Sequence, residues 1–314
     1  MPCRAARLVE HGKPLSVDQL ELAEPGGDEV LVDMAYGGVN PVDRYGALGR
    51  VAPDVPLPRT LGSEGSGTVD GRPVMVRGHG LGTSRDGLWA TQAVVPAEAI
   101  IDIPDGVEIG AAAAMGVAGV TAWRVVTEKA HVTREDRVLV LGASGGVGSI
   151  AVSVAHHLGA TVWGQTTDKS KADWIAQRGA DRVVVADASS LVQAAAELHP
   201  TVVIDPLGDG FTGAGVELLD QRGRVVLFGT SADASGTVPL QALYRKGLTV
   251  YGYGGLIEPD DVLAGHITDA LNALRDGRLE AVIDQVVPLD RVNDAFELMA
   301  QRGVQGQLLL DLRS

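Results

Sequence analysis

Residues 137–149 read RVLVLGASGGVGS, an apolar run followed by four glycines within positions 142–148. The run from Val138 to Leu141 is typical of a buried strand, and apolar residues from Val147 onward recur at helical spacing. A strand, a glycine turn and a helix in this order predict a dinucleotide site, because glycines let the backbone approach a pyrophosphate at a helix N-terminus. A turn that only starts a helix is the alternative. The predicted contacts are Ala143, Ser144, Gly145, Gly146, Val147 and Gly148.

Strand-like and helical segments alternate after this turn. The strand-like runs are TVWGQ, RVVVAD, TVVIDPLG, GRVVLFG and LTVYGYG. Such alternation predicts an α/β fold, a doubly wound parallel sheet covered on both faces. The first 110 or so residues differ, since Gly, Pro and Asp break their apolar stretches every few positions, which indicates an irregular β-rich domain. The pattern after Gly255 indicates a return to that domain.

Composition excludes several classes of protein. A length of 314 residues favours two domains, and 26 Lys and Arg against 40 Asp and Glu give a net charge of −14, which argues against nucleic-acid partners. The single cysteine, Cys3, excludes an intrachain disulfide and a multi-cysteine zinc site. No apolar stretch is long enough to cross a membrane, so we expect no membrane partner and a cytoplasmic location.

The end of the second strand bears on the choice of cofactor. Residues 163–171 read WGQTTDKSK, with Thr166 where an acidic residue would bind a ribose 2′-hydroxyl. Hydroxyl and cationic side chains suited to a 2′-phosphate follow, namely Thr167, Lys169, Ser170 and Lys171. This composition favours NADPH over NADH. Asp168 is the opposing observation, and the alternative is that these residues only open a helix, with Asp168 as its cap.

Six segments together resemble the zinc-free medium-chain dehydrogenase/reductases of the quinone oxidoreductase and enoyl reductase type. They are GGVNPVDRYGALGR, PRTLGSEGSGTV, IPDGVEIGAAAAMGVAGVTAW, VLVLGASGGVGS, VVLFGTS and VQGQLLLDL. The resemblance covers nearly the whole chain. It implies a GroES-like catalytic domain of residues 1–117 and 254–314, a Rossmann domain of residues 118–253, and a cleft between them for nicotinamide and substrate. It also implies a homodimer paired through LTVYGY.

The same resemblance bears on zinc. The related alcohol dehydrogenases hold zinc with cysteines and with the histidine of a Gly-His-Glu motif, whereas this chain has Ser63 in LGSEG and lacks those cysteines. A zinc site needs three or four placed ligands, so we expect no metal. Without a Lewis acid, hydride transfer to an electron-poor acceptor is the feasible reaction. We therefore predict an NADPH-dependent reductase of a quinone or of the activated C=C bond of an enone.

Two alternatives stay open at this point. The first is an enoyl-type reductase of polyketide or other secondary metabolism, and the second is a non-catalytic NADPH-binding sensor.

The resemblance also implies roles for particular residues. Asn40 and Asp43 would line the cleft, and Tyr45 would donate a proton or a hydrogen bond, with turn chemistry and packing as the alternatives. Lys246 falls near a lysine proposed as proton donor in some enoyl reductases, although a solvated charge is the more ordinary role. Further cofactor contacts would come from Thr121, Gly229 and Thr230. The chain departs from the family at Gln307, where relatives often have lysine.

Overall fold

The computed structural model describes residues 1–313, which form two compact units. One unit comprises residues 1–120, 258–277 and those from Ala281 onward. The other comprises residues 121–257 and 278–280. The division at 117/118 and 253/254 predicted from the sequence assigns a catalytic role to one part and a cofactor-binding role to the other. It stays a prediction.

The N-terminal part of the first unit consists mainly of short strands. They are β1 (Pro2–Leu8), β2 (Ser16–Glu21), β3 (Glu29–Val39), β4 (Arg59–Thr60), β5 (Glu64–Val69), β6 (Arg72–Arg77), β7 (Gln92–Pro96) and β8 (Ile100–Asp102). Helix α1 (Pro41–Ala47) follows β3 directly, and α2 (Ile109–Ala112) follows β8. The helix then continues through a π-helical turn, Met115–Gly119, which we call the first π turn.

The second unit alternates strand and helix. Helix α3 (Val120–Arg124) runs into a second π turn, Val125–Lys129. The strands are β9 (Arg137–Val140), β10 (Thr161–Thr166), β11 (Arg182–Val185), β12 (Val202–Asp205), β13 (Arg224–Leu227) and β14 (Thr249–Gly252). The helices are α4 (Gly146–His157), α5 (Ala172–Ala176), α6 (Leu191–Ala195), α7 (Asp209–Leu218) and α8 (Leu240–Arg245).

The C-terminal part of the chain rejoins the first unit. Its elements are α9 (Asp260–Arg275), β15 (Ile283–Pro288), α10 (Val292–Ala300) and β16 (Gln307–Asp311). Short 3₁₀ helices occur at Ala97–Ala99, Lys169–Lys171, Ala196–Leu198, Gly255–Ile257 and Leu289–Arg291. Strand β16 pairs antiparallel with β3, with Leu308 opposite Val39. This pairing places Gln307 beside the start of α1, although the two are far apart in the sequence.

The strands form three sheets. The first unit contains a three-stranded sheet of order β2-β1-β4 and a seven-stranded sheet of order β15-β16-β3-β5-β6-β8, in which β7 also pairs with β3. The second unit contains a six-stranded parallel sheet of order β11-β10-β9-β12-β13-β14. In chain order this sheet reads 3-2-1-4-5-6, the strand order of the Rossmann fold. The predicted combination of a doubly wound sheet and a β-rich domain is confirmed.

Burial explains why the parallel strands are apolar throughout. Val138, Leu139 and Val140 of β9 are all fully buried, because helices cover both faces of a parallel sheet. Strand β14 is different, since it lies at the sheet edge and all four of its residues are exposed. Within residues 1–313, no helix has both the length and the apolar composition required to cross a bilayer.

Candidate functional site

The glycine turn after β9 is fixed by hydrogen bonds to the end of β10. Gly142 has a φ of +57°, a conformation that favours glycine. Its N–H donates to Gln165 Oε1 at 2.9 Å, and the N–H of Ala143 donates to the Gln165 carbonyl oxygen at 2.9 Å. Gly145 N–H closes the turn on the Gly142 carbonyl oxygen at 3.0 Å. Hydrogen bonds within the fold therefore define the shape of the turn.

The first N–H groups of α4 have no carbonyl acceptor within the helix, and we call them the bare N–H groups. Gly145 is the N-cap residue, and the N–H groups of Gly146, Val147 and Gly148 belong to the first turn, where an α-helix has no carbonyl acceptors for them. A Cβ atom at Gly148 would overlap the Gly142 carbonyl oxygen, so only glycine allows helix and turn to lie this close. Bare N–H groups at a positive helix end fit a pyrophosphate.

The turn lies where ligands bind in sheets of this kind. The strand order reverses between β9 and β12, and the crevice at the carboxyl ends of those strands is the binding position in open α/β sheets. The loop after β12 packs there, since a Cβ at Gly142 would lie 3.2 Å from Leu207. Gly229 lies against the Pro206 carbonyl oxygen, and Thr230 beside it is exposed. Residues 143–148, Gly229 and Thr230 are thus at one edge of the sheet.

The residues after β10 are placed differently from the prediction. Thr166 is buried, and its Oγ1 accepts a hydrogen bond from the Asp168 N–H at 3.1 Å. Asp168 caps the 3₁₀ helix, and the bonds from the Ser170 hydroxyl and N–H lower the pKa of its carboxyl. Lys171, a predicted cofactor contact, is only 7% exposed and is engaged within the fold. Of the predicted phosphate partners, Thr167 and Lys169 are exposed, and Ser170 is exposed but bonded to Asp168.

Gln165 is a site residue that sequence reasoning missed. Its side chain is 1% exposed, accepts the Gly142 N–H and donates to the Ala186 carbonyl oxygen at 2.6 Å. It therefore ties the glycine turn to the ends of β10 and β11. A glutamine inside a buried parallel strand is the sequence signal that could have indicated it, because a buried amide needs several partners.

In the first unit, Asn40 and Asp43 form a buried polar cluster with Glu64. Asp43 Oδ2 accepts the Asn40 N–H at 2.8 Å, which holds the first turn of α1, and Oδ1 accepts the Ser63 N–H at 2.9 Å. Asn40 Nδ2 donates to Glu64 Oε1 at 2.5 Å. Asn40 is 2% and Glu64 0% exposed. Asn40 and Asp43 thus hold the first turn of α1 in place, and their predicted place in the cleft stays a prediction. Glu64 was not predicted.

The two buried carboxyl groups of this cluster have perturbed acidities. Burial is the largest cause that raises the pKa of Glu64, and the Asp43 carboxyl adds to the rise. Arg77 and the hydrogen bonds from Asn40 and Val117 oppose it, and the result is a pKa of about 7. Burial also raises the pKa of Asp43 to about 6, against the bonds from Asn40 and Ser63 and the charge of Arg77. Both carboxyl groups thus titrate near neutral pH, where a small change alters their charge.

The remaining predicted residues lie in separate places. Tyr45 is half-buried on α1, and Thr121 is half-buried on α3; their assigned roles stay predictions. The contacts of Lys246 contradict its predicted role as a proton donor. Its Nζ donates to the carbonyl oxygens of Glu217 and Leu219, both at 2.7 Å, at the end of α7. Helix α7 begins at the carboxyl ends of the parallel strands and runs back toward their amino ends. Its C-terminal end and Lys246 therefore lie at the amino ends of the strands, whereas the glycine turn lies at the carboxyl ends. Lys246 is a helix cap and not a proton donor at that site.

Within residues 1–313, no three His, Cys, Asp or Glu side chains meet as a metal site would require. Ser63 is buried next to Asp43. The absence of zinc stays a prediction.

Known proteins resemble this chain along most of its length. A family model described as zinc-binding dehydrogenase matches residues 146–258. Quinone oxidoreductase-like protein 2 of Mus musculus is 29% identical over 99% of this chain and 92% of its own length. A mycobacterial structure solved as a complex with NADPH superposes with a TM-score of 0.86 and 25% identity, covering 98% of this chain and 99% of that one. A structure described as an NAD-dependent alcohol dehydrogenase gives a TM-score of 0.87 with 25% identity, covering 98% and 99%.

These matches agree with the fold and with the glycine turn at the reversal of the strand order. By sequence and by fold, the chain is similar to the medium-chain dehydrogenase/reductase superfamily, and in particular to its quinone oxidoreductase-like members.

Proposed function

We propose that this protein is an NADPH-dependent reductase that transfers a hydride, without zinc, to a quinone or to the activated C=C bond of an α,β-unsaturated carbonyl compound. The observation that carries the proposal is the glycine turn at the reversal of the strand order, where the first N–H groups of α4 are bare. The quinone oxidoreductase-like name of the mouse relative supports the reaction class.

The fit of the cofactor is argued from residues of the second unit. When bound, the nicotinamide cofactor supplies a hydride to the acceptor. The N–H groups of Gly146, Val147 and Gly148 would hold the pyrophosphate, and Gln165 keeps their turn in shape. Thr167 and Lys169 would contact a 2′-phosphate. Asp168 is exposed but already accepts two hydrogen bonds from Ser170, which reduces its availability to a ribose hydroxyl.

The acceptor needs a group that stabilises negative charge on its carbonyl oxygen. Tyr45 is the candidate, because its half-buried phenol can donate a hydrogen bond or a proton and lies on α1, whose first turn the buried cluster fixes. Asn40, Asp43 and Glu64 act through α1 and not by contact with substrate. Their burial supports this division of roles.

The test is the rate of reduced-nicotinamide oxidation with NADPH and NADH in parallel, against one quinone, one 2-alkenal and one cyclic enone. We expect turnover that is faster with NADPH and that requires an acceptor. Faster turnover with NADH would overturn the cofactor assignment. Binding of NADPH with no acceptor-dependent oxidation would favour the sensor, and turnover only of acyl thioester enones would favour the enoyl-type reductase.

A homodimer is proposed from the exposed apolar surface of the second unit. Strand β14 is an open sheet edge, with Val250 and Tyr251 about two-fifths exposed. Leu240, Tyr244 and Ile257 are also exposed, and Ile257 reaches 86%. An open edge beside apolar side chains is a surface that proteins usually cover. A second copy of β14 would cover it. The cytoplasmic location stays a prediction.

A further inference from the structure

The side-chain hydrogen bonds from Gln307 through Asn40 to Glu64 run in one direction. Gln307 Nε2 donates to the Val39 carbonyl oxygen at 3.1 Å and to Asn40 Oδ1 at 3.0 Å. Asn40 Nδ2 then donates to Glu64 Oε1 at 2.5 Å. At the other end, the Val117 N–H donates to Glu64 Oε2 at 2.7 Å. A backbone carbonyl can only accept and a backbone N–H can only donate, so the two backbone groups fix the direction of the whole chain of bonds.

Glu64 stands where two donors converge. Both of its oxygens must accept, and an ionised carboxylate does this. A protonated carboxyl or a glutamine carries a donor on one of the two atoms, which would face either Asn40 Nδ2 or the Val117 N–H. Reversing the amides of Asn40 and Gln307 does not remove the conflict, because Gln307 would then present an oxygen to the Val39 carbonyl.

The surroundings of Glu64 leave little room for another arrangement. A Cβ at Gly38 would overlap the Glu64 carboxylate, and a Cβ at Gly116 would lie 2.7 Å from Oε2. The charged groups that face it are Arg77 from β6 and Asp43 from α1. With one guanidinium for two carboxylates, the cluster has a net negative charge when both acids are ionised, so it can take up a proton.

We propose that Glu64 is a positioning residue that must accept two hydrogen bonds, and that its ionised carboxylate holds the start of α1 and the first π turn in one arrangement. The consequence for catalysis rests on the proposed function, since α1 carries Tyr45 and Thr121 follows Val117 by one helical turn. Protonation of Glu64 would release the Val117 N–H or the Asn40 amide. The arrangement is therefore complete above about pH 7 and lost as the pH falls below it.

The test measures amide hydrogen exchange in the free protein, by mass spectrometry of peptides that cover residues 115–120. We expect wild-type protection of this segment, corrected for intrinsic exchange, to fall as the pH is lowered through about 7. The near-isosteric variant Glu64→Gln is expected to exchange about tenfold faster or more at every pH, because it places a donor against a donor. Exposed Glu98→Gln is the control and should match the wild type.

Two results would overturn the proposal: wild-type protection in Glu64→Gln, or no change in the wild type across the titration. Exchange in buried β12 reports whether the variant is folded. If the variant does not fold, the pH titration of the wild type decides the role of Glu64. In the enzyme assay, kcat/KM should rise through about pH 7 in the wild type and show no such step in Glu64→Gln. A protein that reduces no acceptor would refute the proposed function, whereas exchange would still decide the role of Glu64.

Discussion

At the scale of single residues, a few buried polar side chains decide how the loops of the candidate site are shaped. Gln165 and Glu64 are both almost fully buried, and each joins segments that are distant in sequence. In the LGSEG motif, Ser63 stands where related alcohol dehydrogenases have a zinc ligand. The residue that joins distant segments in the structure is its neighbour Glu64. Burial of Glu64 depends on β3, β6 and the first π turn together, so no local pattern could indicate it.

The pKa of Glu64 predicts a stability effect with a definite sign. Burial raises it from 4.5 to about 7, so the folded protein binds a proton between these values that the unfolded chain has lost. Protonation relieves the burial of the charge, the largest influence on this pKa, by more than it loses in the hydrogen bond that it releases. The contribution of this group to the free energy of unfolding is therefore greatest below pH 4.5 and decreases as the pH rises to about 7. In urea unfolding, wild type should lose stability relative to Glu64→Gln between about pH 5 and about pH 8. A difference that is constant with pH would contradict the assigned pKa.

The reassignment of Lys246 gives a second prediction at this scale. Lys246→Met removes two hydrogen bonds and a positive charge from the C-terminal end of α7, while keeping the length of the side chain. We expect a loss of about 1–2 kcal/mol in the free energy of unfolding with kcat unchanged. Exposed Lys13→Met serves as the control. A fall in kcat of tenfold or more, on the order of a lost proton donor, would restore the catalytic role.

At the scale of elements, the sequence was most informative where one local signal fixes a structure. The six strand-like runs became β9 to β14, and the patterns after Gly255 became α9, β15, α10 and β16. The helical region that begins with α2 at Ile109 contains two π turns. The first contains Gly116, whose missing side chain leaves room for Met75 and Glu64, and the Val117 N–H bonds to Glu64. This depends on tertiary neighbours and has no helical periodicity to signal it.

The glycine turn supplies a prediction for an element. Gly148→Ala places a methyl group onto the Gly142 carbonyl oxygen and should displace the start of α4, which separates the bare N–H groups from the pyrophosphate. We expect NADPH affinity, measured by calorimetric titration, to fall about tenfold or more. Gly265→Ala is a matched control on exposed α9, where a methyl group meets no neighbour. Equal affinity in the two variants would refute the assignment of the pyrophosphate site.

At the scale of the whole molecule, the proposed dimer is tested on its own surface. Replacing Tyr251 and Ile257 together by lysine puts two charges on the exposed patch beside β14. If a second copy covers this patch, light scattering after size exclusion should give one chain mass, 32.6 kDa, for the variant and twice that for the wild type. Val9→Lys, an exposed apolar position in the other unit, should leave the dimer intact. A monomeric wild type would refute the dimer.

The sequence by itself determined the fold class and the place of the glycine turn after the first strand of the parallel sheet, because hydrophobic periodicity and glycine spacing are local signals. Tertiary structure alone decided which polar groups are buried together. Pairing of β16 with β3 brings Gln307 to Asn40, and the adjoining β5 and first π turn bring Glu64 and Val117 to the same place. The energy of a buried carboxylate depends on that whole environment, so the acidity of Glu64 is a property of the fold and not of its sequence neighbours.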